Sequence, residues 1–222
     1  PPKTVHELQL GLRRFFRFCV SERDLKRDPT REMKLARYQV RPQPTYSEAE
    51  VERLLLACAT KTRTGLRDRA LIMVLFDTGV REGELVSMGV PGWSRGSVEV
   101  NGKTGVRTVF LGSTALLAVE RYARQWDIHE APLWRGKKGS LTGSGAFQMV
   151  RRACERANVE HKGVHAFRRA AAAQMKRLGM QDSDILEVMG WRSITMLRRY
   201  TAAVAEELAQ DAYRRFSPGD AL

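Results

Sequence analysis

This sequence predicts a mainly α-helical body carrying one small antiparallel β-sheet, an α+β fold, and three observations support that expectation. Apolar residues recur at helical spacing along most of the chain. Strict alternation is confined to the stretch between Ser97 and Leu111. Helix punctuation falls where the periodicity starts and stops: a capping box ahead of one apolar run, a glycine behind another.

Taken in order, residues 5–20 place Val5, Leu8, Leu10, Leu12, Phe15, Phe16 and Val20 along an amphipathic helix that lacks partners for its apolar face. The chain opens on Pro1, so residues 1–41 are expected to be the C-terminal remnant of a helical domain followed by a basic linker. From Ser21 to Thr45 the apolar signal thins among Pro29, Pro42 and Pro44, leaving room for one short helix. The second expected domain, 45–222, begins with Ser47-Glu48-Ala49-Glu50, a capping box ahead of Val51, Leu54, Leu55 and Leu56. A helix from about Arg67 to Phe76 should stop at Asp77-Thr78-Gly79, where glycine suits the left-handed residue that ends a helix. A short helix should follow from Arg81 to about Met88. Ser97–Val100 and Val106–Leu111 alternate on either side of Asn101-Gly102-Lys103-Thr104-Gly105, which reads as a β-hairpin. Helices are then expected over 113–126, 143–157, 166–178, 182–189, 193–200 and 202–216.

Composition bears on partners. The 222 residues hold 38 Lys and Arg against 25 Asp and Glu, a formal charge of +13, while 43% hydrophobic content suffices for a core. No run of 18 apolar residues suggests a membrane span, and no leader pattern opens the chain. Cys19, Cys58 and Cys154 form neither a disulfide framework nor a zinc pattern, which suits a reducing cytoplasm. A polyanionic partner, nucleic acid first, is the expectation. Residues 1–44 carry 11 Lys and Arg against 5 Asp and Glu, a density suited to a phosphate backbone.

One motif misleads. Gly96 to Lys103-Thr104 looks like a nucleotide-binding P-loop but has five residues, not four, before Gly-Lys. It also joins two strands, so its amides cannot be presented at a helix N-terminus. No nucleotide or other cofactor is expected.

Several residues carry possible chemistry. Arg81 follows a helix break, with Glu84 three positions on to hold its guanidinium. His165 and Arg168 share one face of a helix start, backed by the four alanines Ala170 to Ala173, which permit close packing. Tyr200 follows Trp191 by nine residues and stands beside Arg198 and Arg199. Read singly, each is more often a packing or surface residue. Together, the order Arg81, Lys103, His165-x-x-Arg168, Trp191 and Tyr200 resembles the signature of the tyrosine recombinase (phage integrase) family, over about residues 45–205. Two positions depart from the commonest form: Trp191 stands where histidine is frequent, and Arg169-Ala170 replaces the frequent His-Thr.

The resemblance implies the catalytic-domain fold of that family and covalent, metal- and ATP-independent strand transfer. Tyr200 would attack the scissile phosphate to give a 3′-phosphotyrosine, with Arg81 and Arg168 on the non-bridging oxygens. Lys103 would protonate the departing 5′ oxygen, His165 would assist proton transfer at the tyrosine or hold the phosphate, and Trp191 would add a donor. The expected partner is double-stranded DNA with a specific attachment or crossover site, bound by a homotetramer in the cytoplasm. Arg107, Lys137, Lys138, Arg169 and Arg192 are further candidate DNA contacts. A type IB topoisomerase-like relaxing enzyme and a non-catalytic DNA-binding regulator are the alternative readings.

Overall fold

A computed structural model describes residues 2–38, 43–102, 105–136 and 139–221. It divides into two compact units, Pro1–Arg41 and Pro42–Leu222.

In the first unit, α1 (Pro2–Ser21) is followed by turns and then by an extended segment, residues 34–38, that runs back along the helix. Gln9 clips that segment by accepting the Ala36 N–H (2.7 Å) and donating to the Lys34 carbonyl (3.3 Å). His6 Nδ1 lies 2.6 Å from the Ala36 carbonyl, and Arg13 donates to that of Met33. The short helix expected after Ser21 does not form over the described residues. Local side-chain bonds compete with it: Asp28 Oδ1 accepts both the N–H (2.7 Å) and the hydroxyl (2.6 Å) of Thr30. Val5, Leu8, Leu12, Phe15 and Phe18 stay exposed.

The second unit opens with α2 (Glu48–Leu56), whose capping box forms as expected: Ser47 accepts the Glu50 N–H, and Glu50 accepts the Ser47 N–H at 2.8 Å. Next, α3 (Arg63–Thr78) starts earlier than the apolar pattern indicated because Thr62 caps it, accepting the Gly65 N–H at 3.0 Å. It ends on Gly79, at φ 58°. The short α4 (Glu82–Val86) leads to β1 (Ser97–Gly102) and β2 (Gly105–Phe110), an antiparallel pair in which Val98 faces Val109 and Val100 faces Arg107. After α5 (Ser113–Trp126) comes a second hairpin, β3 (Arg135–Gly136) and β4 (Gly139–Ser140). Two residues per strand are too few to leave an alternation in the sequence. The remaining helices are α6 (Gly143–Ala157), α7 (His165–Arg177), α8 (Asp182–Met189) and α9 (Ile194–Thr201). The tail, expected as one helix, is split into a 3-10 turn at Ala202–Val204 and α10 (Ala205–Phe216).

The core is built around α3, whose Ala70, Leu71, Ile72, Val74 and Leu75 are wholly buried. The alanines of α7 fulfil their packing role. Ala170 to Ala173 are all buried, and a Cβ at Gly79 would lie only 3.1 Å from that of Ala171. A smaller cluster of Ala172, Ile185, Met189, Trp191 and Leu197 has Tyr200 packed against it. No described helix is long and apolar enough to cross a membrane.

Candidate functional site

Three helix junctions within the second unit bring the candidate residues together. At the first, the left-handed Gly79 ends α3, and Arg81 becomes the residue preceding α4, with extended φ −72° and ψ 155°. Arg81 donates its backbone N–H (2.8 Å) and its guanidinium (2.7 Å) to the two oxygens of Glu84. The Glu84 side chain is 1% exposed and receives a second cation, Arg107 of β2, through Nη2 (2.9 Å) and Nε (3.3 Å). Burial alone would raise the carboxyl pKa. The hydrogen bonds from Arg107 and Arg81 outweigh that effect and hold it down to about 2. Glu84 is therefore an anion shared by two arginines, and Arg81 is oriented at both ends. The end of β1 lies against the same carboxylate: a Cβ on Gly102 would be 2.9 Å from Glu84 Oε1. Lys103, next in sequence, lies outside the described residues.

The second junction is the start of α7. His165 and Arg168 stand one turn apart, and Arg168, although charged, is 1% exposed. Its guanidinium donates to the carbonyl of Gly79 at the end of α3 and to that of Met189 at the end of α8. Carbonyls at helix C-termini lack intrahelical donors and carry partial negative charge, so one arginine caps two helices at once. Arg168 Nε has no hydrogen-bond partner among the described residues. Burial first, and then the neighbouring Arg81 charge, lower the pKa of Arg168 to about 10. His165 is shifted down by burial and by Arg168, Arg169 and Arg81, so it favours the neutral imidazole.

The third junction follows α8. Left-handed Gly190 turns the chain so that the Trp191 ring lies 5.0 Å from the Arg168 guanidinium. The Trp191 indole N–H is buried and, like Arg168 Nε, unmatched. Tyr200, on α9, packs 4.7 Å from the Trp191 ring and 6.3 Å from the His165 ring. A phenol, an imidazole, an indole donor and a buried guanidinium thus share one surface, with Arg81 close enough to act on Arg168 and His165 electrostatically.

Other expected residues lie differently. Arg107, expected against DNA, is engaged with Glu84 and donates Nη1 to the Val188 carbonyl at 2.7 Å. The sequence carried a signal for this: Arg107 shares the inward phase of β2 with buried Val109, and a charge there calls for an internal partner. Arg169 donates Nε to the Pro44 carbonyl at 2.7 Å, and Arg192 is exposed. Lys137 and Lys138, between Gly136 and Gly139, lie outside the described residues. The two helix-end carbonyls that hold Arg168 have no signature in the sequence. Among the described residues, no three His, Cys, Asp or Glu side chains gather where they could hold a metal ion.

The chain is also similar to known proteins. The family model described as the phage integrase family matches residues 45–207. The chain is 30% identical over 225 residues to the tyrosine recombinase XerD of Pseudomonas aeruginosa, covering 94% of this chain and 73% of that protein. With XerD of Ralstonia nicotianae the identity is 27% over 217 residues, 92% of this chain and 70% of that one. Among solved structures, the Tn1549 transposon integrase in complex with a circular intermediate DNA shares the fold with a TM-score of 0.75. Its sequence identity is 18%, over 96% of this chain and 79% of that one.

Proposed function

The chain belongs to the phage integrase family of tyrosine recombinases, and from that premise we propose that residues 45–222 are its catalytic domain and Tyr200 its nucleophile. Residues 1–41 are then the remnant of a helical core-binding domain with its basic linker. The observation that carries the site assignment is the pair of unmatched buried donors, Arg168 Nε and the Trp191 N–H, beside the Tyr200 phenol. Buried donors without partners are costly, and a phosphate oxygen would satisfy them.

In this reading the Tyr200 oxygen attacks phosphorus as the bond to the 5′ oxygen breaks, leaving a 3′-phosphotyrosine and a free 5′-hydroxyl. The phenolic proton passes to His165, whose lowered pKa leaves it neutral and able to accept. Lys103 gives a proton to the departing oxygen. Arg81 and Arg168 hold the non-bridging oxygens, and their fixed positions spare the site any reorganisation as charge develops. The ester keeps the energy of the broken bond, so a second 5′-hydroxyl can reverse the step on another strand. The duplex would carry a specific crossover site, be held by four copies of the chain and be met in the cytoplasm.

The deciding experiment incubates the protein with a nicked duplex that traps the covalent intermediate, using a candidate crossover sequence. Wild type should become attached to DNA, and Tyr200→Phe should bind equally well without attachment. Attachment by Tyr200→Phe would reject the nucleophile. Chelating divalent ions should leave the yield unchanged, whereas loss on chelation and recovery with magnesium would point to a nuclease.

A further inference from the structure

Arg107 joins three elements of the second unit: the β1–β2 pair, α4 and the end of α8. It sits on β2, in the hairpin whose connection contains Lys103. Its Nη2 and Nε reach Glu84, the carboxylate that orients Arg81. Its Nη1 reaches the carbonyl of Val188, the residue before Met189, whose own carbonyl holds Arg168. The route is a close one. A Cβ on Gly190 would lie 3.0 Å from Arg107 Cδ, so the chain carries a glycine where the arginine passes. All three guanidinium nitrogens of Arg107 already donate within the protein, in contrast to Arg168, whose Nε is unmatched among the described residues.

We propose that Arg107 is a positioning residue for strand transfer, a single guanidinium that ties the paired strands β1 and β2 to the elements that carry Arg81 and Arg168. The proposal rests on the reading that Arg81, Arg168 and, from the connection between the two strands, Lys103 act at the scissile phosphate. Only a planar fork with donors at both ends spans Glu84 and Val188 together, so lysine can replace the charge but not the span. Arg107 touches no substrate in this account. Its effect is on geometry, and displacement of reacting groups by an ångström is worth about a hundredfold in rate.

The test compares wild type with Arg107→Gln and Arg107→Lys in two measurements on the same duplex. One is DNA affinity as a function of salt; the other is the single-turnover rate of covalent attachment on the trapping substrate. Both variants should lose roughly 100-fold in rate with unchanged affinity and salt slope. Substrates in which sulfur replaces the bridging 5′ oxygen add a specific signature, because a thiolate leaves without a proton donor. Both variants should regain part of the lost rate on them, as Lys103→Ala should in full. A salt slope reduced by about one would make Arg107 a phosphate contact and overturn the proposal. An unaltered rate would also overturn it, as would equal loss on both leaving groups. If Arg107→Gln melts below the assay temperature, Arg107→Lys decides alone, since it keeps the charge beside Glu84. Failure of the underlying reading looks different: wild type itself would form no covalent attachment, or Lys103→Ala would show no rescue by sulfur.

Discussion

Glu84 shows how a single buried carboxylate ties stability to the site. Its ordinary pKa is 4.5, and the folded value is about 2. A depressed carboxylate contributes stability that is complete above the unfolded pKa and disappears as pH falls from about 4.5 toward 2. The shift corresponds to a contribution on the order of 3 kcal/mol. Urea unfolding at a series of pH values should therefore show a steeper acid loss for wild type than for Glu84→Gln, and parallel curves would refute it. Arg168 belongs to the same scale. Replacing it with alanine should remove about 2.7–4 kcal/mol of transition-state stabilisation, by analogy with one preorganised oxyanion donor, read as the rate of covalent attachment. His165 adds a pH signature. With its pKa below 6.5, attachment should hold constant through that pH and fall only in more acid solution. A decline already centred above 6.5 would remove His165 as the proton acceptor.

Between elements, what matters is how helices end. Gly79 takes φ 58° in a space where a Cβ would meet Met189 Cε at 2.8 Å. Gly79→Ala should cost at least about 1–2 kcal/mol from the left-handed backbone alone, with crowding of Met189 in addition, and should show as a lower urea midpoint. Much of this level was legible beforehand: α5, α6 and α8 occupy the residues that periodicity and punctuation indicated. Boundaries moved where a polar cap hid the start, as Thr62 did for α3. The candidate site was legible as a set of residue types in order, since Arg81, His165, Arg168, Trp191 and Tyr200 do gather. How they are held was less legible. Glu84 could be read from its three-residue spacing to Arg81. The bonds from Arg168 to Gly79 and from Arg107 to Val188 span 89 and 81 residues and end on backbone atoms, which carry no residue identity.

For the molecule as a whole, the +13 charge should appear as salt sensitivity. If six to ten phosphates are neutralised, affinity should drop about 10³–10⁵-fold between 50 and 200 mM salt. A nearly flat response would mean that the basic surface is not the DNA-binding face. The tail tests assembly separately. No residue of α10 is buried, and its Glu207 accepts from the partly exposed Arg177 of α7 at 2.9 and 3.0 Å. Removing residues 205–222 should cost the body under about 1 kcal/mol. If four copies assemble through this helix, the same deletion should abolish paired-site complexes while single-site attachment persists. The double capping by Arg168 has a consequence for variation across the family's sequence space. At Tyr200 a substitution removes chemistry from a half-buried ring at the rim, whereas at Arg168 it also uncaps α3 and α8. A mutational survey that scores cellular abundance and recombination independently should find position 200 tolerant in the first and intolerant in the second. At position 168 the two scores should fall together, so quality control in the cell would clear those failed enzymes before they could occupy a crossover site as inert blockers.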